Sequence, residues 1–204
     1  MRTKTYLITG IDADADGIST SAAPAAGVAL TLEAGAAALS PPRFLTFVGS
    51  AALSGTFTVI GTDRWGNAQT EIVSGVSTTP VRSLGIYASV TSIIPSTTDT
   101  DTLEVGWPVG NTTPWVVCGR NLGTDQVPTC LVSVLAEAGT VTGEVDTTYD
   151  MFPRLTEPEI DIDETDGITP GTPVEAQGSG CRFRLTSGAG TTAKVKFLRA
   201  GPSP

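Results

Sequence analysis

The fold of this chain is decided by residues 56–73, TFTVIGTDRWGNAQTEIV. Two runs in this stretch alternate apolar and polar residues with a period of two, which is the pattern of β-strands that bury one face. Between them lies the turn Arg64-Trp65-Gly66-Asn67, whose Gly and Asn favour the tight backbone of a hairpin. The stretch therefore predicts two paired antiparallel strands.

Similar short strand patterns, bounded by turn residues, occur on both sides of this hairpin. They are interrupted at residues 108–114, PVGNTTP, which contain two prolines and no periodicity and are typical of a linker. Short strands at this spacing are typical of a sandwich or small barrel. We therefore predict an all-β fold of two small antiparallel β-sandwich or barrel domains, jelly-roll or immunoglobulin-like, at residues 1–109 and 114–204.

Composition limits the classes of partner. The 204 residues carry a net charge of −9 with a pI near 4.4, which argues against nucleic-acid binding because phosphate contacts need clustered Lys and Arg. No stretch approaches the roughly 18 apolar residues of a membrane helix, so no membrane partner is expected. The first residues, MRTKTYLITG, lack the apolar run of a signal peptide, which predicts a product made in a cytoplasm.

Three stretches carry a likeness to a known class of proteins: residues 61–71, GTDRWGNAQTE, residues 139–145, GTVTGEV, and residues 181–190, CRFRLTSGAG. In these turn-and-strand patterns the chain resembles small structural proteins of tailed bacteriophages. The resemblance implies a non-enzymatic virion component. The expected role is a capsid decoration protein on the shell exterior, forming a homo-oligomer, with a trimer favoured, and binding the major capsid protein or other virion proteins. The alternatives are a tail, neck or fibre-attachment component and a host-receptor or glycan-binding module.

Candidate contact residues lie in the central turn and near the end of the chain. Residues 180–198 read as a closing hairpin with its turn at 187–190, which would direct Phe183, Leu185, Val195 and Phe197 to the core and the intervening cations to the opposite face. Such a face suits solvent or an acidic partner, and the acidic run at 157–166 could meet it across a subunit boundary. The predicted interface residues are Trp65, Arg182, Arg184, Lys194 and Lys196.

Trp107 and Trp115 flank the predicted linker, so they are expected to pack between the two halves. Catalysis is not expected, because the chain has no histidine to act as the common general base. An acid pair such as Glu157 and Glu159 would need a spacing across a sugar ring that sequence proximity does not supply.

The sequence contains only incomplete matches to metal-binding motifs. Residues 12–17, DADADG, open like a calcium loop, but the twelfth position is Ala23 instead of an acid, and a solvated turn is the favoured interpretation. The acidic residues 161–167 are likewise interpreted as a solvated loop. Cys118, Cys130 and Cys181 are odd in number and lack C-x-x-C spacing, so they predict buried apolar side chains and neither a disulfide framework nor a metal site. No metal or cofactor is predicted.

Overall fold

A computed structural model describes residues 2–118, 129–148, 162–163, 168 and 170–199. The regular secondary structure of the described residues is almost entirely β-strand, and all of the strand pairs are antiparallel. In chain order the strands are β1 (Arg2–Thr9), β2 (Asp14–Ala22), β3 (Thr46–Gly49), β4 (Thr56–Thr62), β5 (Ala68–Ser74), β6 (Val81–Arg82), β7 (Ser89–Pro95), β8 (Leu103–Trp107), β9 (Asn111–Thr112), β10 (Val116–Val117), β11 (Thr129–Ala138), β12 (Gly143–Thr148), β13 (Ile162–Asp163), β14 (Val174–Gln177), β15 (Gly180–Leu185) and β16 (Thr192–Arg199). One turn of 3-10 helix spans Ala34–Ala37. The predicted all-β class is confirmed.

The chain divides into two units, one made of residues 1–12 and 109–204 and the other of residues 13–108. We call them the outer-segment unit and the inserted unit. The predicted domain of residues 1–109 is wrong in one respect, because β1 belongs to the outer-segment unit. It pairs with β16 along its whole length, from Arg2 opposite Arg199 to Thr9 opposite Thr192. Because these two strands are far apart in sequence, no local sequence pattern indicates that they pair.

The described residues of the outer-segment unit form two sheets. One has the strand order β1-β16-β11-β14, and the other has the order β10-β15-β12-β13, with β9 also paired to β15. A single hydrophobic core draws Val132, Val195 and Phe197 from the first sheet and Val145 and Phe183 from the second. Each fully buried side chain of this size contributes about 1.5–3 kcal/mol through removal of apolar surface from water.

The inserted unit also contains two sheets, with orders β2-β8-β3-β6 and β5-β4-β7. Its core combines Phe47 and Val105 from the first sheet with Phe57, Val59 and Ile93 from the second. The predicted hairpin at residues 56–73 is confirmed as β4 and β5, which pair from Thr56 opposite Ser74 to Thr62 opposite Ala68. The narrower expectation of jelly-roll or immunoglobulin-like domains stays a prediction.

The predicted linker is more ordered than its composition indicates. Asn111–Thr112 form β9 on β15, and the backbone N–H of Gly110 donates to the carbonyl of Ile11 at 2.8 Å. Gly110 has a φ of 105°, a conformation that L side chains rarely adopt. This segment therefore forms part of the edge of a sheet.

The predicted closing hairpin is wrong. β15 pairs with β9, β10 and β12, whereas β16 pairs with β1 and β11, so the turn at 187–190 carries the chain from one sheet of the unit to the other. The inward-facing residues were nevertheless correct, because Phe183, Leu185, Val195 and Phe197 are all fully buried. Alternation along each strand sets which side chains face the core, but it does not choose the partner strand.

Candidate functional surfaces and the cysteine cluster

One face of the sheet β5-β4-β7 is exposed and carries no charge. Cross-strand pairing places Ile72 and Ile94 on either side of Thr58, and Thr70 and Ser92 on either side of Ile60. The residues of this uncharged sheet face are Thr56, Thr58, Ile60, Thr62, Ala68, Thr70, Ile72, Ser74, Ser89, Ser92 and Ile94. All of them are exposed or half-buried, because the alternate residues of the same strands supply the core.

The uncharged sheet face includes a large apolar side chain, Ile72, that is exposed to solvent. Its side chain is 66% exposed on β5, which is an edge strand of the three-stranded sheet. Protein-binding sites are depleted of charge at their centres, and natural edge strands usually carry charges that prevent association. A β-branched face without charge is therefore suited to contact with another protein surface.

The turn between β4 and β5 holds Trp65 at the tip of the hairpin. Asp63 is buried, and its Oδ1 accepts the backbone N–H groups of Trp65 at 2.8 Å and Asn67 at 2.9 Å, while its Oδ2 accepts the side-chain amide of Asn67 at 3.0 Å. Gly66 has a φ of 84°, which suits a residue without a Cβ. Trp65 is 39% exposed, and the carboxylate of Asp63 fixes the backbone of its turn.

Glu71 anchors the segment 84–87 to the inner side of β5. Its carboxylate accepts the backbone N–H groups of Leu84 at 2.7 Å and Gly85 at 3.1 Å, and also the hydroxyl of Tyr87 at 3.3 Å. Burial raises the pKa of Tyr87 above its ordinary value, and the charge of Glu71 contributes in the same direction.

Arg182 and Arg184, predicted as interface residues, lie in a buried ionic network. The Nε of Arg182 donates to Oδ2 of Asp146 at 2.8 Å, and both side chains have 0% exposure. Arg184 pairs with Glu144 directly across the β12–β15 ladder and reaches Oδ1 of Asp146 at 3.2 Å. The expectation that Arg182 lies on an open cationic face is therefore wrong, because the facing strand supplies its carboxylate.

The two tryptophans beside the predicted linker make contacts inside their own units. The guanidinium of Arg182 lies 4.6 Å from the ring centre of Trp115, which is itself buried. In the inserted unit, Arg43 stacks on Trp107 at 4.2 Å. Cation–π stacking on a desolvated indole stabilises a buried guanidinium. These contacts give both tryptophans a role in packing within a unit.

Lys194 and Lys196 lie on β16, in a different sheet from the two arginines. Lys194 is flanked by Leu7 on β1 and Leu135 on β11, and these leucines are 68% and 54% exposed. Its ammonium lies 3.8 Å from a carboxylate oxygen of Glu137, an exposed pair. Lys196, also exposed, lies on the same outer face as Lys194. The four predicted cations are therefore divided between two sheets.

The structure describes the acidic stretch at residues 12–17 but little of the one at 157–166. Oδ1 of Asp12 accepts the backbone N–H of Ala189 at 2.9 Å, which gives this residue a part in fixing the turn between β15 and β16. Asp14 begins β2, so the DADADG stretch is part strand. The acidic run at 157–166 lies outside the described residues except for Ile162–Asp163, which form β13 beside β12. Glu157 and Glu159 lie outside the described residues.

The three cysteines converge, which their spacing in sequence did not indicate. Cys118, Cys130 and Cys181 are buried, as predicted, and their sulfur atoms all lie within 4.8 Å of one another. The neighbouring thiols of Cys118 and Cys130, together with burial, raise the pKa of Cys181. We refer to these three residues as the cysteine cluster.

Comparison with known proteins identifies no relative. No protein-family model matches the chain, and neither a curated protein nor a solved structure matches it. Within the described residues, no helix is long and apolar enough to cross a membrane.

Proposed function

We propose that this protein is a non-enzymatic structural component of a tailed-phage virion, which binds the exterior of the capsid as a decoration protein. The observation that carries the proposal is the uncharged sheet face of the inserted unit. Its β-branched side chains present a relatively stiff contact surface that loses little rotamer freedom on association. The likeness of residues 61–71 and 181–190 to phage structural proteins supplies the class of partner.

Contact through this face requires little desolvation of charge. The chain carries 33 charged residues, counted as 12 basic and 21 acidic, yet none lies on the uncharged sheet face. Burying Thr, Ser and Ile side chains costs less than burying unpartnered Lys or Glu, and the exposed Ile72 contributes apolar surface to the contact. We also propose that the chain forms a closed oligomer, with a trimer as the expected form, in which strand edges that a lone chain would leave exposed are covered.

The test is co-sedimentation of the purified protein with phage heads assembled without it, together with its solution mass by light scattering. We expect binding to heads and a mass of three times the 20.9 kDa chain. Ile72→Lys should reduce head binding at least tenfold, because it places a charge within the contact. Binding to tails but not to heads would instead indicate a tail or neck component.

Leu84→Lys provides the matched control. Leu84 is 65% exposed, almost the same as Ile72, and lies in the same unit but on the loop between β6 and β7, outside the uncharged sheet face. The two substitutions make the same change of charge on similarly exposed apolar side chains. Equal loss of head binding in both variants would contradict a contact through the sheet face.

A host-receptor or glycan-binding role is the second candidate, and the exposed, fixed Trp65 favours it. Aromatic side chains at rigid turn tips supply contact area at low entropic cost. Trp65→Ala would abolish binding to host cells while leaving head binding unchanged if this role is correct. Unchanged cell binding would remove the support that Trp65 gives it.

A further inference from the structure

The cysteine cluster joins the two sheets of the outer-segment unit. Cys181 lies on β15, and Cys118 directly follows β10, where its backbone N–H donates to the carbonyl of Ser179 at 2.9 Å. Cys130 comes from β11 in the other sheet. Two strands and the residue that follows a third, drawn from both sheets, therefore direct sulfur atoms to one point in the core.

The spacing of the sulfur atoms suits a metal ion. A cation bound at about 2.3 Å from each of three sulfurs would hold those sulfurs about 3.8 Å apart. The sulfurs here lie within 4.8 Å of one another, so closure onto a cation needs a contraction of no more than about 1 Å. Rotation of cysteine side chains supplies a movement of this size without displacing the strands.

The ligand set selects the type of cation. Thiolates bind soft cations such as Zn²⁺ and Cu⁺, whereas Ca²⁺ and Mg²⁺ need oxygen ligands. The chain contains no fourth cysteine and no histidine, so it cannot supply the Cys₄ set of an iron–sulfur cluster. Zn²⁺ and Cu⁺ both have a d¹⁰ shell that imposes no geometry of its own. Three sulfurs can complete the coordination of Cu⁺, whereas Zn²⁺ takes four ligands and would bind one water beside the three sulfurs.

We propose that Cys118, Cys130 and Cys181 form a binding site for one soft d¹⁰ cation, Zn²⁺ or Cu⁺, that links the two sheets of the outer-segment unit. With Zn²⁺, three S–H bonds break and three metal–sulfur bonds form, and the three protons pass to solvent. The site then carries a net charge of −1. With Cu⁺, the loss of two protons leaves the same net charge and one neutral thiol ligand.

Burial determines how the cation enters. The three cysteines are at most 3% exposed and lie in one core with residues such as Val116, Val132 and Phe183, so the described residues leave no open path to the site. Ligands that come together only on folding make metal binding part of the folding reaction. The cation is therefore taken up as the chain folds and is afterwards released slowly.

The experiment is refolding of the reduced full chain with a defined cation. The protein is unfolded in guanidinium with a chelator and a phosphine reductant under nitrogen, and is then refolded with one equivalent of either Zn²⁺ or Cu⁺. Unbound metal is removed by desalting through EDTA for Zn²⁺ or bathocuproine disulfonate for Cu⁺. We expect about one retained ion per chain for at least one of the two cations, together with a higher melting temperature than the metal-free protein.

Two variants separate metal binding from packing. Cys130→Ala should lower the retained metal at least tenfold and lose the rise in melting temperature. Val132→Ala removes a fully buried side chain from the same strand and the same core, so it should lower stability while retaining about one ion per chain. If Cys130→Ala does not fold, Cys118→Ser provides the same comparison from the other sheet.

Three results would each overturn the proposal. The first is that the wild-type chain retains neither cation, and the second is that Cys130→Ala or Cys118→Ser retains as much as wild type. The third is a count of one free thiol per chain in protein purified from cells and trapped by alkylation on denaturation, since this would show that two of the cysteines form a disulfide.

Discussion

Removing the charge of Asp146 should destabilise the outer-segment unit strongly. Asp146 lies between two guanidinium groups, with Oδ2 at 2.8 Å from Arg182 and Oδ1 at 3.2 Å from Arg184. Together with Glu144, the four groups are electrically balanced, and Arg182 and Asp146 have no exposed side-chain surface. Asp146→Asn retains the shape of the side chain but leaves one positive charge without a counter-charge in a buried site.

The expected loss is about 3–5 kcal/mol of unfolding free energy, the range for breaking a buried ion pair from one side. Because every 1.4 kcal/mol is a tenfold change, even the lower figure raises the unfolded fraction more than about 100-fold. The measurement is urea denaturation followed by circular dichroism. Hydrogen exchange at residues 143–148 and 180–185 would locate the effect on β12 and β15.

The matched control is Glu137→Gln, which neutralises the exposed partner of Lys194. That pair is 3.8 Å apart, with side chains 53% and 42% exposed, and solvent screening limits its contribution to below about 1 kcal/mol. Replacing both buried partners, as Asp146→Leu with Arg182→Met, should recover most of the stability lost by Asp146→Asn, because no charge from that pair is then left buried. A loss from Asp146→Asn no larger than that from Glu137→Gln would refute the reasoning.

Two further predictions concern the inserted unit. Asp63→Ala should lower the unfolding free energy by about 2 kcal/mol, because three hydrogen-bond donors at the β4–β5 turn lose their acceptor. Urea denaturation measures this loss, and a change below about 0.5 kcal/mol would contradict the role of Asp63 in the turn. The unfolding free energy should also fall as pH rises above about 10, which is the ordinary pKa of tyrosine. The pKa of Tyr87 is raised in the folded state, so above that pH the unfolded chain has lost the tyrosine proton while the folded protein still keeps it. The contribution is complete below that pH and is lost with a slope of up to about 1.4 kcal/mol per pH unit. Tyr87→Phe should flatten the fall in thermal unfolding measured from pH 9 to 11, and an unchanged pH profile would exclude Tyr87 as its source.

Local sequence determined the hairpin at residues 56–73 and the side chains that face inward near the end of the described chain. Residues 56–73 predict the β4–β5 hairpin because strand alternation and turn chemistry act over only a few residues. The same alternation correctly placed Phe183, Leu185, Val195 and Phe197 in the core.

Tertiary structure alone decided the strand partners and the groups that these partners bring together. The pairing of β1 with β16 and the separation of β15 from β16 depend on contacts between segments that are distant in sequence. The alternation of apolar and polar residues in a strand is the same whichever strand pairs with it, so alternation cannot predict the partner. For this reason, sequence placed Arg182 on an open face, whereas the facing strand supplies Asp146 as a buried partner. The cysteine cluster was missed on the same physical ground. Cys130 and Cys181 lie on strands of different sheets and Cys118 follows a third strand, so only the packing of the two sheets brings their sulfur atoms within 4.8 Å.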